Sequence, residues 1–302
     1  MKKIICPPFL NTLDKAIIIS PSGSIDSQYI DSAYQVLQGW GLMVEIAPHA
    51  RGQYGRYGGT IEERLSDLQE AVDDEDIKLI FCSRGGYGVV QLLDKLNLEG
   101  IKEHPKWIVG YSDITALHLA LLQKGIVSLH APMARHLSED SNDTASCFLK
   151  ETLFRGMPDY TITSHLLNRE GIMEGKLFGG NLAVLSSLIG TPYVDVPENG
   201  ILFIEDIGEA PYKIDRMMWQ LKLSGILSRL SGLIVGQFTD CPEDTAMGST
   251  IYESIRSTVD DYNYPVVFDF PVGHVKENYP LLHGGMAKIE VKEDKITMKW
   301  II

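Results

Sequence analysis

Lys78-Leu79-Ile80-Phe81-Cys82-Ser83-Arg84-Gly85-Gly86-Tyr87-Gly88 is an apolar run that leads directly into a glycine-rich loop. The apolar run predicts a strand that is buried on both faces, and the glycines after it predict a tight turn. Similar apolar runs, separated by helical patterns, occur at 16–20, 42–46 and 106–110. Because buried strands that alternate with helices are typical of a parallel sheet with both faces covered, the first half is predicted to be α/β.

The second half of the chain has a different pattern, with one strong helical segment at 212–223 among several strand candidates. These candidates are 200–205, 233–238, 266–270, 286–291 and 296–301. We therefore expect an α/β protein in which a doubly wound, mostly parallel sheet occupies an N-terminal domain over residues 1–150. A connection over 151–170 would lead to a smaller, β-rich domain over 171–302.

The composition narrows the class of protein. The chain has 302 residues, a formal net charge of −13 and no cluster of lysine and arginine, which argues against nucleic acid or an anionic membrane as a partner. Neither a membrane span nor a signal peptide is predicted, so we expect a cytoplasmic location. The cysteines are widely spaced and suggest neither a zinc site nor a disulfide framework; they are Cys6, Cys82, Cys147 and Cys241.

Ser112 is the candidate nucleophile, in the stretch Gly110-Tyr111-Ser112-Asp113-Ile114-Thr115. It follows an apolar strand and precedes a helical pattern, so it lies on a strand-to-helix turn. Such a turn projects the hydroxyl from the edge of the sheet and places the backbone N–H of Asp113 beside it, where an oxyanion could be stabilised. The alternative is an ordinary helix N-cap, which the local pattern alone favours.

The glycine loop has three possible roles. Gly86 could supply a second N–H to an oxyanion, because this loop and the Ser112 turn are expected at the same edge of the sheet. A phosphate-binding loop is disfavoured, since Gln91 occupies the place of the last glycine of a dinucleotide motif and no Walker-type lysine follows. A plain tight turn is the third reading.

An acid and a base can be placed in the second half. Glu205 ends an apolar strand, and His274 lies in a loop just after another strand, where a general base would be accessible. The residues alone leave alternatives open, namely Asp206 and Glu209 for the acid, and His130 and His283 for the base. Trp219 is expected to pack in the core from its helix.

Six short motifs occur in order along the chain, at Arg84–Gly88, Gly110–Thr115, Gly179–Leu182, Gly190–Pro192, Glu205–Glu209 and Gly273–His274. Together they resemble the LD-carboxypeptidase family of serine peptidases, which includes the microcin-immunity relatives. The resemblance extends from about residue 13 to the C-terminus. It implies an α/β N-terminal domain, a small β-rich C-terminal domain, a homodimer and no cofactor or metal.

The resemblance also implies a set of site residues. Ser112 would be the nucleophile, His274 the general base, and Glu205 the acid that holds the histidine. The backbone N–H groups of Asp113 and Gly86 would form the oxyanion hole.

The implied activity is removal of the terminal D-alanine from murein tetrapeptide during cell-wall recycling. The implied alternative is hydrolysis of peptide–nucleotide antibiotics of the microcin C type. Arg84 is a candidate to bind the terminal carboxylate of the substrate, although a structural ion pair is an equal expectation. A non-catalytic α/β protein that binds a small ligand is the alternative from another class.

Overall fold

The computed structural model describes residues 4–301, which divide into two compact units. The first unit runs through Met157 and includes Tyr279–Leu282, and the second comprises Pro158–Asn278 and the chain from His283 onward. None of the helices in residues 4–301 combines the length and the apolar character that a membrane span requires.

The strands of the described residues are, in chain order, β1 (Lys15–Ile19), β2 (Met43–Ile46), β3 (Ile77–Cys82), β4 (Trp107–Gly110), β5 (Ser128–His130), β6 (Tyr160–Thr163), β7 (Gly171–Asn181), β8 (Gly200–Ile207), β9 (Leu230–Thr239), β10 (Val266–Val267), β11 (Leu281–His283), β12 (Met286–Val291) and β13 (Lys295–Ile301).

The α-helices of the same residues are α1 (Ser27–Gly39), α2 (Ile61–Asp73), α3 (Glu99–Glu103), α4 (Thr115–Gln123), α5 (Ala134–Glu139), α6 (Thr144–Phe154), α7 (Leu182–Ser187), α8 (Pro211–Leu223) and α9 (Ile251–Thr258). The stretch Thr60-Ile61-Glu62-Glu63 predicts a capping box at the start of α2. The structure confirms it, since Thr60 and Glu63 satisfy two backbone N–H groups at the start of the helix.

The sheet of the first unit has the strand order β11-β5-β4-β3-β1-β2 within the described part of the chain. The pairs β1–β2, β1–β3, β3–β4 and β4–β5 are parallel, which confirms the predicted α/β class and its mostly parallel sheet. Because β3 and β4 are parallel neighbours, the loops after Cys82 and Gly110 leave the same edge of the sheet. This topology brings the glycine loop and the Ser112 turn together.

The sheet of the second unit, in the described residues, has the order β10-β9-β8-β7-β12-β13-β6. Strands β7 to β10 are parallel neighbours, whereas β12 pairs antiparallel with both β7 and β13. The predicted final hairpin is confirmed, with Met286 opposite Ile301. The segment 151–170, expected as a connection, contains the end of α6 and strand β6.

Two local predictions are wrong. The strand expected at 266–270 stops at Val267, because Asp269 takes a left-handed backbone with φ of 59° that ends the extended chain. After the glycine loop, the stretch 89–93 predicts the opening of a helix, but the chain forms only the short 3₁₀ turn Val89–Gln91. This brief turn leaves the loop close to the sheet edge, where its backbone can approach the Ser112 turn.

Candidate active site

Ser112 has an unusual backbone. It lies directly after β4 with φ of 64°, in the left-handed region, and it begins a 3₁₀ turn, Ser112–Ile114, before α4. The N-cap position of α4 is Ile114, and that of the 3₁₀ turn is Tyr111, so the N-cap interpretation of Ser112 is wrong. A positive φ at a serine costs about 1–3 kcal/mol, and such strain is concentrated at functional sites.

The glycine loop packs directly on this serine. A Cβ placed on Gly85 would lie 2.7 Å from the Cβ of Ser112, 2.9 Å from its Oγ and 3.2 Å from the backbone nitrogen of Asp113. Only glycine fits there, because real Cβ atoms do not approach other atoms so closely. The next residue, Gly86, has φ of 112° and is exposed. The first unit thus brings Ser112 and Asp113 against Gly85, which directly precedes Gly86 in the chain, so three of the predicted site residues, Ser112, Asp113 and Gly86, belong to one neighbourhood.

Arg84, at the start of the same loop, has an exposed side chain whose Nη1 donates a hydrogen bond to the carbonyl of Ser24. This bond ties the guanidinium group of Arg84 to the loop that follows β1. It uses only part of the donor capacity of arginine, which has five N–H groups.

In the second unit, Glu205 and His274 form a close pair. The Oε2 atom of Glu205 lies 2.7 Å from Nδ1 of His274, and Glu205 is fully buried. Gly273 makes this approach possible, since with φ of 127° a Cβ there would lie 3.0 Å from the Cβ of Glu205 and 3.1 Å from its Oε2. When the ring is neutral and donates Nδ1–H to Glu205, its lone pair is on Nε2, which is the atom a general base uses.

The electrostatics of this pair favour a charged imidazole. Burial by itself would lower the pKa of His274, but the hydrogen bond to Glu205 and the charges of Glu205 and Asp206 outweigh it, so the pKa is raised above its usual value. A buried carboxylate that holds one ring nitrogen orients the ring and stabilises the imidazolium that forms when a base takes a proton.

The alternative acids have other partners. Burial raises the pKa of Asp206 to about 6, although this carboxyl accepts hydrogen bonds from the side chain of Asn181 and the backbone N–H groups of Ala183 and Ile207. It therefore fixes the start of α7. Glu209 is paired with Lys213 at 3.3 Å. Of the three candidates, Glu205 is the one hydrogen-bonded to a histidine.

The alternative histidines are buried in packing positions. His283 accepts a hydrogen bond from the backbone N–H of Gly179. His130 packs its ring 5.8 Å from that of Tyr111 and 6.4 Å from that of His118. These contacts favour structural roles, whereas His274 keeps part of its side chain exposed.

Comparison with known proteins shows which family the chain belongs to. The family model described as the LD-carboxypeptidase N-terminal domain matches residues 17–131, and that of the LD-carboxypeptidase C-terminal domain matches residues 174–289. The chain belongs to the LD-carboxypeptidase family. It is 30% identical to the murein tetrapeptide carboxypeptidase of Pseudomonas aeruginosa, over 91% of this chain and 93% of that protein.

Solved structures of related proteins have the same fold as this LD-carboxypeptidase. The muramoyltetrapeptide carboxypeptidase from Oxalobacter formigenes matches with a TM-score of 0.85 and 31% identity, over 95% of this chain and 98% of that one. The microcin C7 self-immunity protein MccF, solved in complex with aspartyl sulfamoyl adenosine, has a TM-score of 0.85 at 22% identity, over 98% of each chain. At that identity the likeness shows a shared fold.

A cavity of about 760 Å³ lies in the second unit of this LD-carboxypeptidase, beside the end of β9 and the start of α9. Three aromatic rings line it, those of His165, Phe238 and Tyr252, together with the carboxylates of Glu243, Asp244 and Glu253. Gln237, another lining residue, donates hydrogen bonds to Asp269 and to the carbonyl of Phe270. The cavity is therefore anchored to the segment that leads to His274.

Sequence reasoning missed one polar residue beside the predicted site residues of each unit of this LD-carboxypeptidase. Asn278 is buried and accepts a hydrogen bond at 3.0 Å from the backbone N–H of Gly273, the neighbour of His274. Ser22 donates a hydrogen bond to the carboxylate of Asp113. Their types carry no catalytic signal, and only the folded chain shows what they contact. Across residues 4–301 no group of histidine, cysteine and carboxylate side chains is arranged to hold a metal ion.

Proposed function

We propose that this protein is a serine carboxypeptidase that releases the terminal D-alanine of murein tetrapeptide. The observation that carries the proposal is the 2.7 Å pair of Glu205 and His274 in an LD-carboxypeptidase whose candidate nucleophile, Ser112, has a strained backbone. The names of the Pseudomonas and Oxalobacter relatives support the substrate. We further propose that the enzyme works in the cytoplasm on murein peptides recovered from the cell wall.

The proposed mechanism is that of a Ser–His–Glu triad. Oγ of Ser112 attacks the amide carbon before D-alanine while Nε2 of His274 takes the hydroxyl proton and Glu205 stabilises the imidazolium. The backbone N–H groups of Asp113 and Gly86 stabilise the tetrahedral oxyanion. His274 then gives its proton to the departing nitrogen, so D-alanine leaves with a neutral amine and its carboxylate, and an acyl-enzyme ester remains.

Hydrolysis of the acyl-enzyme ester follows the same proton-transfer steps, with water as the nucleophile. His274 takes a proton from water, the hydroxide attacks the ester carbon, and the proton returns to Oγ of Ser112 as the tripeptide departs. Arg84 is proposed to bind the terminal carboxylate of the substrate, which distinguishes a carboxypeptidase from an endopeptidase. Its exposed guanidinium, next to the glycine loop, supports this role.

The test uses murein tetrapeptide and the purified protein. Mass spectrometry should show tripeptide and D-alanine formed in equal amounts, and the tetrapeptide that ends in L-alanine serves as the matched control. If neither product accumulates from the D-alanine substrate, or if both epimers react equally, the substrate assignment is wrong.

A second candidate function is hydrolysis of peptide–nucleotide antibiotics, which would need an aromatic surface for the base. The rings of His165, Phe238 and Tyr252 in the cavity of the second unit supply such a surface. In a competition assay, an aminoacyl sulfamoyl adenosine and murein tetrapeptide are mixed at equal concentration. Preferential cleavage of the tetrapeptide supports the main proposal, and preferential cleavage of the adenosine conjugate supports the second.

We also propose that the protein is a homodimer. The prediction that Trp219 packs in the core is wrong, since it is 45% exposed, and Tyr212 and Leu223 are exposed on the same helix, α8. This spacing gives α8 an apolar outer stripe that a second copy would cover. Light scattering should give twice the mass of the chain, and Trp219→Ser should lower it. A monomeric wild-type protein would refute the proposal.

A further inference from the structure

The side chain of Asp113 has contacts that the proposed mechanism does not use. It is 2% exposed, and its Oδ2 accepts hydrogen bonds from Oγ of Ser22 at 2.6 Å and from the backbone N–H of Val89 at 2.9 Å. Charge-assisted hydrogen bonds of this kind are stronger than neutral ones. The carboxylate that follows the nucleophile therefore holds the far end of the glycine loop.

The same peptide group is held from its other side. The carbonyl of Gly88 belongs to the peptide unit that carries the N–H of Val89, and it accepts a hydrogen bond at 3.0 Å from Nη1 of Arg64. One peptide unit is thus bound at its oxygen by a buried cation and at its nitrogen by a buried anion. The C=O of the Gly88–Val89 peptide therefore points toward Arg64 and its N–H points toward Asp113, which fixes the orientation of the peptide plane.

Arg64 is suited to this role because its other partners are also backbone or amide oxygens. It is 2% exposed, and its remaining hydrogen bonds in the described chain are to the carbonyls of Gly59 and Pro21 and to Oε1 of Gln91. All of these acceptors are uncharged. A buried guanidinium needs compensating negative charge, and the carboxylate of Asp113, across the Gly88–Val89 peptide, contributes to it together with that of Glu62.

The near end of the loop is fixed as well. The carbonyl of Gly85 accepts a hydrogen bond at 3.0 Å from the backbone N–H of Gly23. Gly86 therefore lies between two anchored peptide groups, with φ of 112°. A glycine pair would otherwise sample many backbone conformations, so these anchors determine where the N–H of Gly86 points.

We propose that the carboxylate of Asp113 and the guanidinium of Arg64 are positioning groups that preorganise the oxyanion hole by clamping the Gly88–Val89 peptide. The inference rests on the proposed serine mechanism. Asp113 then has two roles, since its N–H faces the oxyanion and its carboxylate fixes the loop that supplies the second N–H. The clamp keeps both donors in place before the reaction begins.

The test compares Asp113→Asn with the wild type in three measurements. Hydrogen exchange of residues 83–91 should rise at least about tenfold, since the amide holds the loop more weakly than the carboxylate. Labelling of Ser112 by a fluorophosphonate, whose phosphoryl oxygen uses the same donors, should slow by roughly 10²-fold. The kcat for D-alanine release should fall by a similar factor while KM changes less than about threefold.

Asp67→Asn is the matched control, because Asp67 is another buried carboxylate of the first unit, 4% exposed, which binds the backbone N–H and the ring of His49. It should lower stability and leave labelling and kcat unchanged. If Asp113→Asn does not fold, Ser22→Ala removes one partner of the carboxylate and should lower the labelling rate by about three- to tenfold. Labelling and kcat at the level of the control, in either variant, overturn the clamp.

The outcomes separate this inference from the proposed function. If the wild type is labelled at Ser112 but releases no D-alanine, the substrate is wrong, and exchange and labelling still decide the clamp. If the wild type is not labelled at all, the serine mechanism and the inference both fail. If hydrogen exchange of residues 83–91 rises in Asp113→Asn but labelling of Ser112 is not slowed, the positioning role of Asp113 is refuted and the serine mechanism is not.

Discussion

Gly273→Ala should damage both the stability and the chemistry of this enzyme. The residue has φ of 127°, and an added methyl carbon would lie 3.0 Å from the Cβ of Glu205, 3.1 Å from its Oε2 and 3.3 Å from the carbonyl oxygen of Gln237. The last contact is with strand backbone, which cannot move aside cheaply. Backbone strain and overpacking together should cost about 2–5 kcal/mol.

The consequences can be measured separately. A loss of this size lowers the melting temperature by roughly 4–20 °C for a protein unit of 150–250 residues. The folded fraction should also lose activity, because the methyl displaces the carboxylate oxygen that binds His274. We expect kcat to fall by about 10²-fold or more, since misplacing a catalytic group by about 1 Å has that effect. Thermal denaturation and D-alanine release below the transition give the two values.

Gly190→Ala is the matched control. Gly190 also has a positive φ, of 89°, but no heavy atom lies within 4 Å of the position its Cβ would take. The control therefore carries the backbone strain without the collision, and it should retain wild-type kcat. If Gly273→Ala is as stable as the control and equally active, the close approach of Gly273 to Glu205 does not matter and the reasoning is refuted.

Three further predictions concern His274 and its surroundings. Because the pKa of His274 is raised and the base must be neutral, kcat/KM should fall as the pH decreases through a midpoint above the ordinary value of 6.5; a midpoint below it contradicts the assignment. Glu205→Gln should lower kcat by about 10⁴-fold and move that midpoint to lower pH, because the hydrogen bond and charge that raise the pKa are lost; an unmoved midpoint would exclude Glu205 as the partner. Asn278→Ala should destabilise the protein by about 1–3 kcal/mol in denaturant titration, since the N–H of Gly273 loses its buried acceptor, whereas unchanged stability would show that the bond is dispensable.

Much of the fold follows from local sequence patterns. The apolar runs that form β1, β3 and β4 are bounded by turn residues and alternate with helical patterns, so their type and parallel pairing are predictable. The capping box at Thr60 is likewise a local signal. Val266–Phe270 shows the limit, because nothing in its composition reveals that Asp269 turns the chain out of the strand.

The site was only partly predictable for a related reason. Ser112 has the local pattern of a helix cap, and that pattern reveals neither its left-handed backbone nor the close approach of Gly85, which is distant in sequence. The carboxylate of Asp113 binds Val89 across 24 residues, a contact that no spacing rule predicts. Trp219 follows helical spacing, yet the spacing alone does not determine which apolar face of α8 meets the core.

The turnover of Ser112→Ala on murein tetrapeptide tests the central claim most directly. The substitution keeps the Cβ that packs on Gly85 and removes only the attacking oxygen. The account predicts that kcat for D-alanine release falls by roughly 10⁴–10⁶-fold in a variant that remains folded. Turnover within about tenfold of the wild type would contradict it, because losses at a serine nucleophile are far larger.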